Sequence, residues 1–336
     1  MTKCKHQERH VDHASEDASR RINRPLDEAR DRMDAIGPQT PVDRRLALNA
    51  KASDLLSGVW SLPPTQYLVF RPGVGLADAD PASTPGFDGT KADGERFIAV
   101  SADEISRYQT LLYANGSRGS KRRLLVVLQG MDASGKGGIV RHIFTQGNPM
   151  GIRYKGFGKP TDEELSHDFL WRVRRELPEP GWIGVFDRSH YEDIVMPHVY
   201  GTYPESVWCP RYDLVNEFES QLVADGCSII KIFLVSSRDA QRRHFLGRLD
   251  DPSKHWKFDM SDLDARDRWD DYMAAWQEVF ERTSTPAAPW YLVPADRRWY
   301  SRAVVSELLR DALERMNLSW PPLDVDPDEA RRRLLA

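Results

Sequence analysis

An apolar run that ends in three glycines around a single lysine is the feature that most restricts the fold of this chain. "RLLVVLQG" is followed directly by "MDASGKGG" and then by the helix-like "IVRHIF". A short Leu/Val run bounded by glycine is typical of a buried strand in a parallel sheet that is covered on both faces. A strand, a glycine loop with a lysine and a helix in this order predict a phosphate-binding P-loop, in which backbone N–H groups and a helix N-terminus surround an anion.

The chain after Lys121 alternates strand-like and helix-like segments. Apolar runs recur at "WIGVFD", "SIIKIFLV" and "WYLVPA", and segments with helical spacing of apolar residues lie between them. Alternating β and α units predict a parallel sheet flanked by helices, an α/β fold. We interpret the aromatic stripe of "DARDRWDDYMAAWQEVFERTS", which consists of Trp269, Tyr272, Trp276 and Phe280, as core packing and not as a base-stacking platform.

Composition divides the chain into four parts. Residues 1–45 are highly charged and predict a disordered or loosely ordered N-terminal extension. Residues 46–120 contain a long connection rich in Gly, Pro and Asp, and we expect them to form an arm packed on the core. We place the core at residues 121–320 and a C-terminal tail at residues 321–336.

Charge and cysteine content argue against several classes of protein. The formal net charge is −4, so no overall basic field favours nucleic acid or a membrane surface as a partner, and an anionic substrate needs a local cluster of Lys and Arg. Cys4, Cys209 and Cys227 are scattered and odd in number, which argues against a disulfide framework or a zinc motif and favours the reducing cytoplasm. Because no apolar run is long enough to cross a bilayer, we expect no membrane anchor.

The glycine loop departs from the usual P-loop pattern at one position. The consensus ends in GK followed by Ser or Thr, and Gly137 stands where the hydroxyl ligand of magnesium would be. We expect Lys136 to contact the transferring phosphates, with Asp132 and Asp187 as the candidate ligands of Mg²⁺. The alternative is a plain strand-to-helix turn in which both aspartates are capping residues.

Two further segments carry charged residues close to predicted strand ends. "FDRSHYED" places Arg188, His190 and Glu192 after a predicted strand, at the sheet edge where open α/β folds bind ligands. "RDAQRRHFLGRLDDPSKHWKFD" concentrates cations in a short span. Such a run is usually a solvated helix face, but after a strand of a P-loop sheet it predicts an arginine-bearing lid at about residues 238–262.

Five segments in this order resemble the family-2 polyphosphate kinases, P-loop enzymes that move phosphate between inorganic polyphosphate and nucleotides. The segments are "GMDASGKGG", "KPTDEE", "FDRSHYED", "DDPSKHWK" and "APWYLVPADRRWY", and the similarity covers roughly residues 124–309. The resemblance implies a three-layer α/β/α P-loop kinase fold with a parallel sheet and a helical lid. It also leads us to expect a homo-oligomer, a dimer or a tetramer.

The resemblance implies roles for individual residues. The residues expected to be catalytic are Asp132, Lys136, Asp187, Arg188 and Arg248, and the two aspartates are expected to hold magnesium. The residues expected to bind phosphate are Gly130, Ala133, Ser134, Gly135, Gly137, Gly138, Arg242, Arg243, Lys254 and Lys257. The residues expected to bind the nucleotide are Lys159, Pro160, Thr161, His190 and Glu192.

The implied reaction is magnesium-dependent, in-line transfer of a terminal phosphoryl group from polyphosphate to ADP or AMP, without a covalent enzyme intermediate. Many members of the family read DRSWYNR where this chain reads "DRSHYED", a departure that resembles the subgroup accepting AMP as well as ADP. The expected partners are polyphosphate and the nucleotides AMP, ADP and ATP, with GMP and GDP open as acceptors. Two alternatives stay open: an ATP-dependent kinase of a nucleoside monophosphate or small metabolite, and a non-catalytic nucleotide-binding module.

Overall fold

The structure, a computed structural model, describes residues 58–144 and 147–336. The predicted N-terminal extension at residues 1–45 and the beginning of the predicted arm lie outside the described residues.

Five parallel strands form one sheet in this part of the chain. They are β1 Arg123–Gly130, β2 Ile152–Gly156, β3 Ile183–Asp187, β4 Cys227–Val235 and β5 Trp290–Pro294. Their order across the sheet is β2-β3-β1-β4-β5, and every neighbouring pair is parallel. The prediction of a parallel α/β fold is confirmed. β2 was not among the predicted strands, because this edge strand, "IRYKG", is polar and largely uncovered.

Helices connect the strands and cover both faces of the sheet. In chain order they are α1 Pro64–Tyr67, α2 Lys91–Gly116, α3 Lys136–Ile143, α4 Asp162–Leu165, α5 Trp171–Arg174, α6 Glu192–Tyr200, α7 Glu205–Trp208, α8 Arg211–Ala224, α9 Arg238–Leu249, α10 Ser261–Asp267, α11 Trp269–Thr283, α12 Arg298–Arg315 and α13 Pro327–Leu335. Short 3₁₀ helices lie at Leu76–Asp78, Pro149–Gly151 and Pro252–Lys257. None of these helices combines the length and the apolar character that a membrane span requires.

The alternation of side chains along β1 separates two apolar cores. Leu125 and Val127 pack into the core formed with α6, α8 and α11. Leu124, Val126 and Leu128 pack into the opposite core, formed with α2, α3 and α12. A strand covered on both faces has no polar side, which explains its continuous apolar run. The aromatic stripe of α11 is buried in the first core, so its interpretation as core packing is confirmed.

The 26-residue helix α2 lies in the predicted arm and was not predicted as a helix. It starts at a capping box in which the Asp93 carboxylate accepts from the Thr90 N–H at 2.9 Å. Its apolar residues, including Phe97 and Leu112, pack against α12 and the sheet. The helix ends beside the turn that leads into β3, where Gly116 and Gly181 meet backbone to backbone.

We expect Gly181→Ala to destabilise the fold more than Gly119→Ala does. Both glycines have a positive φ, +87° and +88°, so both substitutions carry a backbone strain of about 1–2 kcal/mol. A Cβ at Gly181 would also lie 2.8 Å from the Gly116 Cα, whereas a Cβ at Gly119 would meet nothing within 4 Å. The difference in free energy of unfolding, measured by urea titration, should be about 1–3 kcal/mol. Equal losses in the two variants would contradict the close approach of α2.

Candidate active site

The glycine loop joins the central strand β1 to α3. Gly130 has a φ of +143°, and a Cβ there would lie 2.9 Å from Leu234 O on the neighbouring strand, so this position requires glycine. The buried Lys136 ammonium folds back over the loop and donates to Gly130 O at 2.7 Å and to Met131 O at 3.3 Å. Because an ammonium has three donors, one N–H is left for a phosphate held at the loop.

The end of β3 forms the neighbouring part of the site. Parallel pairing sets Asp187 opposite Leu128 of β1, so the aspartate and the glycine loop share one edge of the sheet. Arg188 has a φ of +62°, and its N–H donates to Leu128 O at 3.0 Å. Its guanidinium forms an ion pair with Asp132 in the loop. The Tyr154 hydroxyl donates to Asp187 Oδ2 at 3.4 Å, a weak contact that leaves this carboxylate open to a ligand.

The charges at this edge shift one another's protonation. Burial raises the pKa of Asp132, but the charges of Lys136 and Arg188 outweigh burial and hold that pKa below its ordinary value. Burial raises the pKa of Glu192, at the start of α6, and the same two cations do not fully offset it. The Gln129 amide nitrogen lies 3.0 Å from Glu192 Oε1 when the amide oxygen accepts from Ser189. Asp132 is therefore ionised at neutral pH, which is the form that binds a cation.

The segment predicted to form the lid, about residues 238–262, is hydrogen-bonded directly to the glycine loop. In α9, Gln241 Nε2 donates to Asp132 O at 3.0 Å and His244 Nδ1 donates to Ala133 O at 2.9 Å. Burial lowers the pKa of His244, which favours the neutral ring. In the neutral ring, the bond to Ala133 O requires the proton on Nδ1. The lid therefore rests on the loop through the first turns of its helix.

Several cations that we expected to bind phosphate already pair with other groups in the lid. Arg248 donates to Lys257 O at 2.8 Å and to Asp262 Oδ2 at 3.1 Å, which closes the lid segment on itself. Lys254 pairs with a neighbouring aspartate at 2.7 Å. Arg242, also in α9, pairs with an aspartate at 3.2 Å and is not among the residues that line the cleft. Within the described residues, Arg243 and Lys257 line the cleft without an ion pair.

These elements enclose a cleft of about 990 Å³. The Lys and Arg residues that line it are Lys136, Arg141, Arg188, Arg243, Arg248, Lys254, Lys257, Arg298 and Arg302. The acidic residues that line it are Asp132, Asp187, Asp259 and Asp262. Nine cations against four carboxylates, in a chain with a net charge of −4, indicate a binding site for a highly charged anion.

The middle of "DRSHYED" turns away from the cleft. His190 is fully buried, with its ring against Tyr191 and Phe218 and its Nε2 at 3.4 Å from Glu219 Oε1. The structure therefore corrects the expected nucleotide contact of His190, because its side chain lies in the core. Arg188 and Glu192 face the loop, and the residues between them fill the core.

A buried polar cluster holds this turn. The ammonium of Lys231 in β4 contacts Glu219 Oε2 at 2.6 Å, the Tyr191 hydroxyl at 2.8 Å and Thr283 O at 2.8 Å. The Tyr191 hydroxyl in turn donates to Glu219 Oε1 at 2.8 Å. All three side chains are fully or almost fully buried, so the ion pair fixes the turn after β3 to α8, β4 and α11.

The "KPTDEE" segment follows the cleft residue Gly158 directly. Lys159 is exposed, Pro160 follows it, and Thr161 caps α4, its hydroxyl accepting from the Glu164 N–H at 3.2 Å. A buried arginine that the sequence did not single out, Arg172, donates to Gly158 O at 3.0 Å. It also pairs with an aspartate of α6 at 2.8 Å, which ties this segment to the turn after β3.

The sequence motifs predicted some of the residues that line the cleft and missed others. All five residues expected to be catalytic lie along it, as do the glycine-loop residues from Ala133 to Gly138. The cations contributed by α3 and α12, which are Arg141, Arg298 and Arg302, were not predicted. The only signal for the two on α12 was the "APWYLVPADRRWY" segment, which contains Arg298, ends two residues before Arg302 and carried no assigned role.

Comparison with known proteins gives one consistent result. Residues 90–321 match the family described as Polyphosphate kinase 2 (PPK2). The AMP/ADP-polyphosphate phosphotransferase of Meiothermus ruber is 41% identical over 256 residues, which are 76% of this chain and 93% of that protein. The ADP-polyphosphate phosphotransferase of Rhodopseudomonas palustris is 37% identical over 267 residues, 76% of this chain and 90% of that protein.

A solved structure agrees with the fold. The crystal structure of Polyphosphate Kinase 2 from Arthrobacter aurescens TC1 superposes with a TM-score of 0.80 at 44% sequence identity. The superposition covers 82% of this chain and 98% of that one.

We expect Glu219→Leu to destabilise the protein by about 3–5 kcal/mol, because the substitution leaves the Lys231 ammonium buried without its counter-charge. Combining it with Lys231→Met removes the second charge and should recover most of that loss. Urea unfolding of the two variants and the unaltered protein measures both effects. A double variant as unstable as Glu219→Leu alone would show that packing, and not the ion pair, holds the turn.

Proposed function

This chain belongs to the polyphosphate kinase 2 family, and we propose that it is a polyphosphate:nucleotide phosphotransferase with AMP and ADP as acceptors. The terminal phosphoryl group of inorganic polyphosphate passes to AMP, giving ADP, and to ADP, giving ATP. The Meiothermus ruber relative, whose name includes both nucleotides, supports this choice of acceptors.

The cationic cleft around the glycine loop is the observation that carries the proposal. Phosphoryl transfer through a loose transition state needs the reactants in line and their charge neutralised, and it needs little covalent chemistry from the protein. We expect Lys136 and Arg188 to contact the transferring group, and Arg243 and Lys257 of the lid line the same cleft. The attacking oxygen of a nucleotide phosphate is already an anion, so no strong general base is required.

Magnesium fits the donors at the sheet edge. Mg²⁺ in kinase sites is bound by one or two carboxylates, and substrate phosphates and water complete its shell. Asp187 and Asp132 offer such a pair, with Asp187 as the main ligand because Asp132 is already paired with Arg188. Within the described residues no group of three or more His, Cys, Asp or Glu is arranged for a metal, so phosphate oxygens have to complete the site. When bound, the ion would neutralise phosphate charge.

The two alternatives are less well supported. An ATP-dependent kinase of a small metabolite would share the loop and the lid, but it would not need nine cations along the cleft. A non-catalytic module would have no reason to hold Arg188 at a φ of +62°, a conformation that costs a non-glycine residue about 1–2 kcal/mol.

Several finer points are part of the proposal. Cys209 and Cys227 are free thiols, which suits a reaction in the cytoplasm. The nucleotide contacts expected of Glu192 and of the segment after Gly158 stay predictions, as does the homo-oligomer.

The activity is tested with purified protein, Mg²⁺ and long-chain polyphosphate, supplied with AMP, ADP, GMP or GDP, and the products are separated by anion-exchange chromatography. ATP is tested as donor in parallel. We expect polyphosphate-dependent formation of ADP and ATP. A protein that uses ATP well and leaves polyphosphate untouched at low salt would be an ordinary nucleotide kinase.

In the same assay, Lys136→Ala should lower the rate by about 10³-fold or more, because the ammonium neutralises charge that moves during transfer. Lys121→Ala is the matched control, since its ammonium pairs with Asp225 on the surface at 3.2 Å. The control should keep full activity. Near-normal turnover by Lys136→Ala would remove the glycine loop from the reaction.

Asp187→Asn should raise the Mg²⁺ concentration for half-maximal rate by at least about tenfold, because a neutral amide is a poorer ligand for a hard dication. Asp259→Asn makes the same chemical change at another cleft aspartate, whose carboxylate accepts from the Ser261 N–H at 2.8 Å. Magnesium titrations of the two variants that coincide would exclude Asp187 as a ligand.

A further inference from the structure

Two arginines of α12 line the cleft and have no part in the chemistry proposed above. The helix begins at Arg298, and Arg298 and Arg302 stand four residues apart on the same face of its first turns. Both line the cleft together with Ser301 and with Arg141 of α3. This end of the cleft is therefore built from guanidinium and hydroxyl groups.

The two arginines lack the partners that similar residues of the same helix have. At the far end of α12, Arg315 is paired with Asp311 at 2.8 Å. Within residues 58–144 and 147–336, neither Arg298 nor Arg302 forms an ion pair. Burial lowers the pKa of the half-buried Arg302, the charges of Arg298 and Arg141 lower it further, and the charge of Glu95 in α2 offsets these effects only in part. Like charges four residues apart destabilise a helix, so this arrangement carries a cost that a bound anion would remove.

Arg302 lies against the glycine-loop helix. A Cβ at Gly138 would be 3.6 Å from Arg302 Nη2, so the guanidinium touches the first turn of α3, two residues beyond Lys136. Gly137 is exposed and a Cβ there would meet nothing within 4 Å, so among the described residues no other group covers the surface of α3 between Lys136 and Gly138. Asp187 and Gly158 line another part of the cleft, at the ends of β3 and β2.

We propose that Arg298 and Arg302 form a subsite for the phosphate units of polyphosphate that lie beyond the transferred unit. The donor then runs from α12 across the first turn of α3 and ends at Lys136, and the nucleotide acceptor lies toward the ends of β2 and β3. This inference rests on the proposed function. A linear polyphosphate carries about one charge per unit and suits successive cations, as nucleic acid backbones do.

The test compares donors of different length. Initial rates are measured for Arg298→Ala, Arg302→Ala and the double variant. Tripolyphosphate and long-chain polyphosphate are tested as donors with saturating ADP as acceptor. ATP is tested as donor with AMP as acceptor. For the long chain we expect KM to rise about tenfold per arginine, the loss typical of a charged hydrogen bond, with kcat little changed. The slope of log kcat/KM against log salt should flatten by about one unit per arginine. KM for ADP should stay the same.

Arg315→Ala is the matched control, because it removes an arginine from the far end of the same helix. It should leave the KM for every donor unchanged. Equal losses with tripolyphosphate and with the long chain would place the arginines at the transferred phosphate and overturn the subsite. Losses confined to ATP would assign this end of the cleft to a nucleoside, which also overturns it.

The two proposals fail in different ways. If the unaltered protein transfers no phosphate from polyphosphate of any length, the proposed function fails and the subsite fails with it. If the unaltered protein is active and the α12 variants behave like Arg315→Ala, the subsite alone is wrong.

Discussion

The parallel pairing of β1 with β3 is the constraint on which the site depends. Because parallel strands end at the same edge, this pairing brings the glycine loop and the Asp187 carboxylate together, although 50 or more residues separate them in the chain. The register matters as much as the pairing, since a slip of one residue would turn Asp187 to the other face of the sheet. The bond from the Arg188 N–H to Leu128 O extends the ladder by one step, and from there the guanidinium reaches Asp132.

A buried ion pair between Lys231 and Glu219 fixes the position of the turn after β3. Taking the charges of Lys231 and Glu219 out of water is costly, and hydrophobic residues of similar size often stabilise a core as well or better. The pair joins the turn after β3 to α8 and β4, and the bond from Lys231 to Thr283 O adds the end of α11. What the protein gains is a fixed position for Arg188, whose guanidinium pairs with Asp132 at the cleft. Packing alone would hold the turn with less directional preference.

The sequence predicted those features that depend on local order. Four strands were recognisable because both faces are buried, whereas β2 is a polar edge strand and α2 lies among turn-forming residues without a strong apolar stripe. Lys136 and Asp187 were predictable because Lys136 lies in the glycine loop after one buried strand and Asp187 ends another. The burial of His190 was not, because no pattern in "RSHYE" says which side chains turn inward. Arg302 reaches the loop only because α12 packs beside α3, a contact that sequence spacing does not encode.

Charge is distributed unevenly along the cleft, and in the proposed reaction this unevenness would separate the donor from the acceptor. On the α12 side of Lys136 the charged groups that line the cleft are arginines, while on the β3 side Asp187 lies next to Arg188, with Glu192 behind it. In the proposed reaction, the polyanionic donor would lie on the first side, and a nucleotide that shares a metal ion with a carboxylate would lie on the second. Because the cleft holds more cations than carboxylates while the whole chain has a net charge of −4, the rest of the chain carries a net negative charge, which disfavours polyanions. Under the proposed function, this charge distribution would steer a long donor to the cleft, where the glycine loop would hold its end in line with the acceptor.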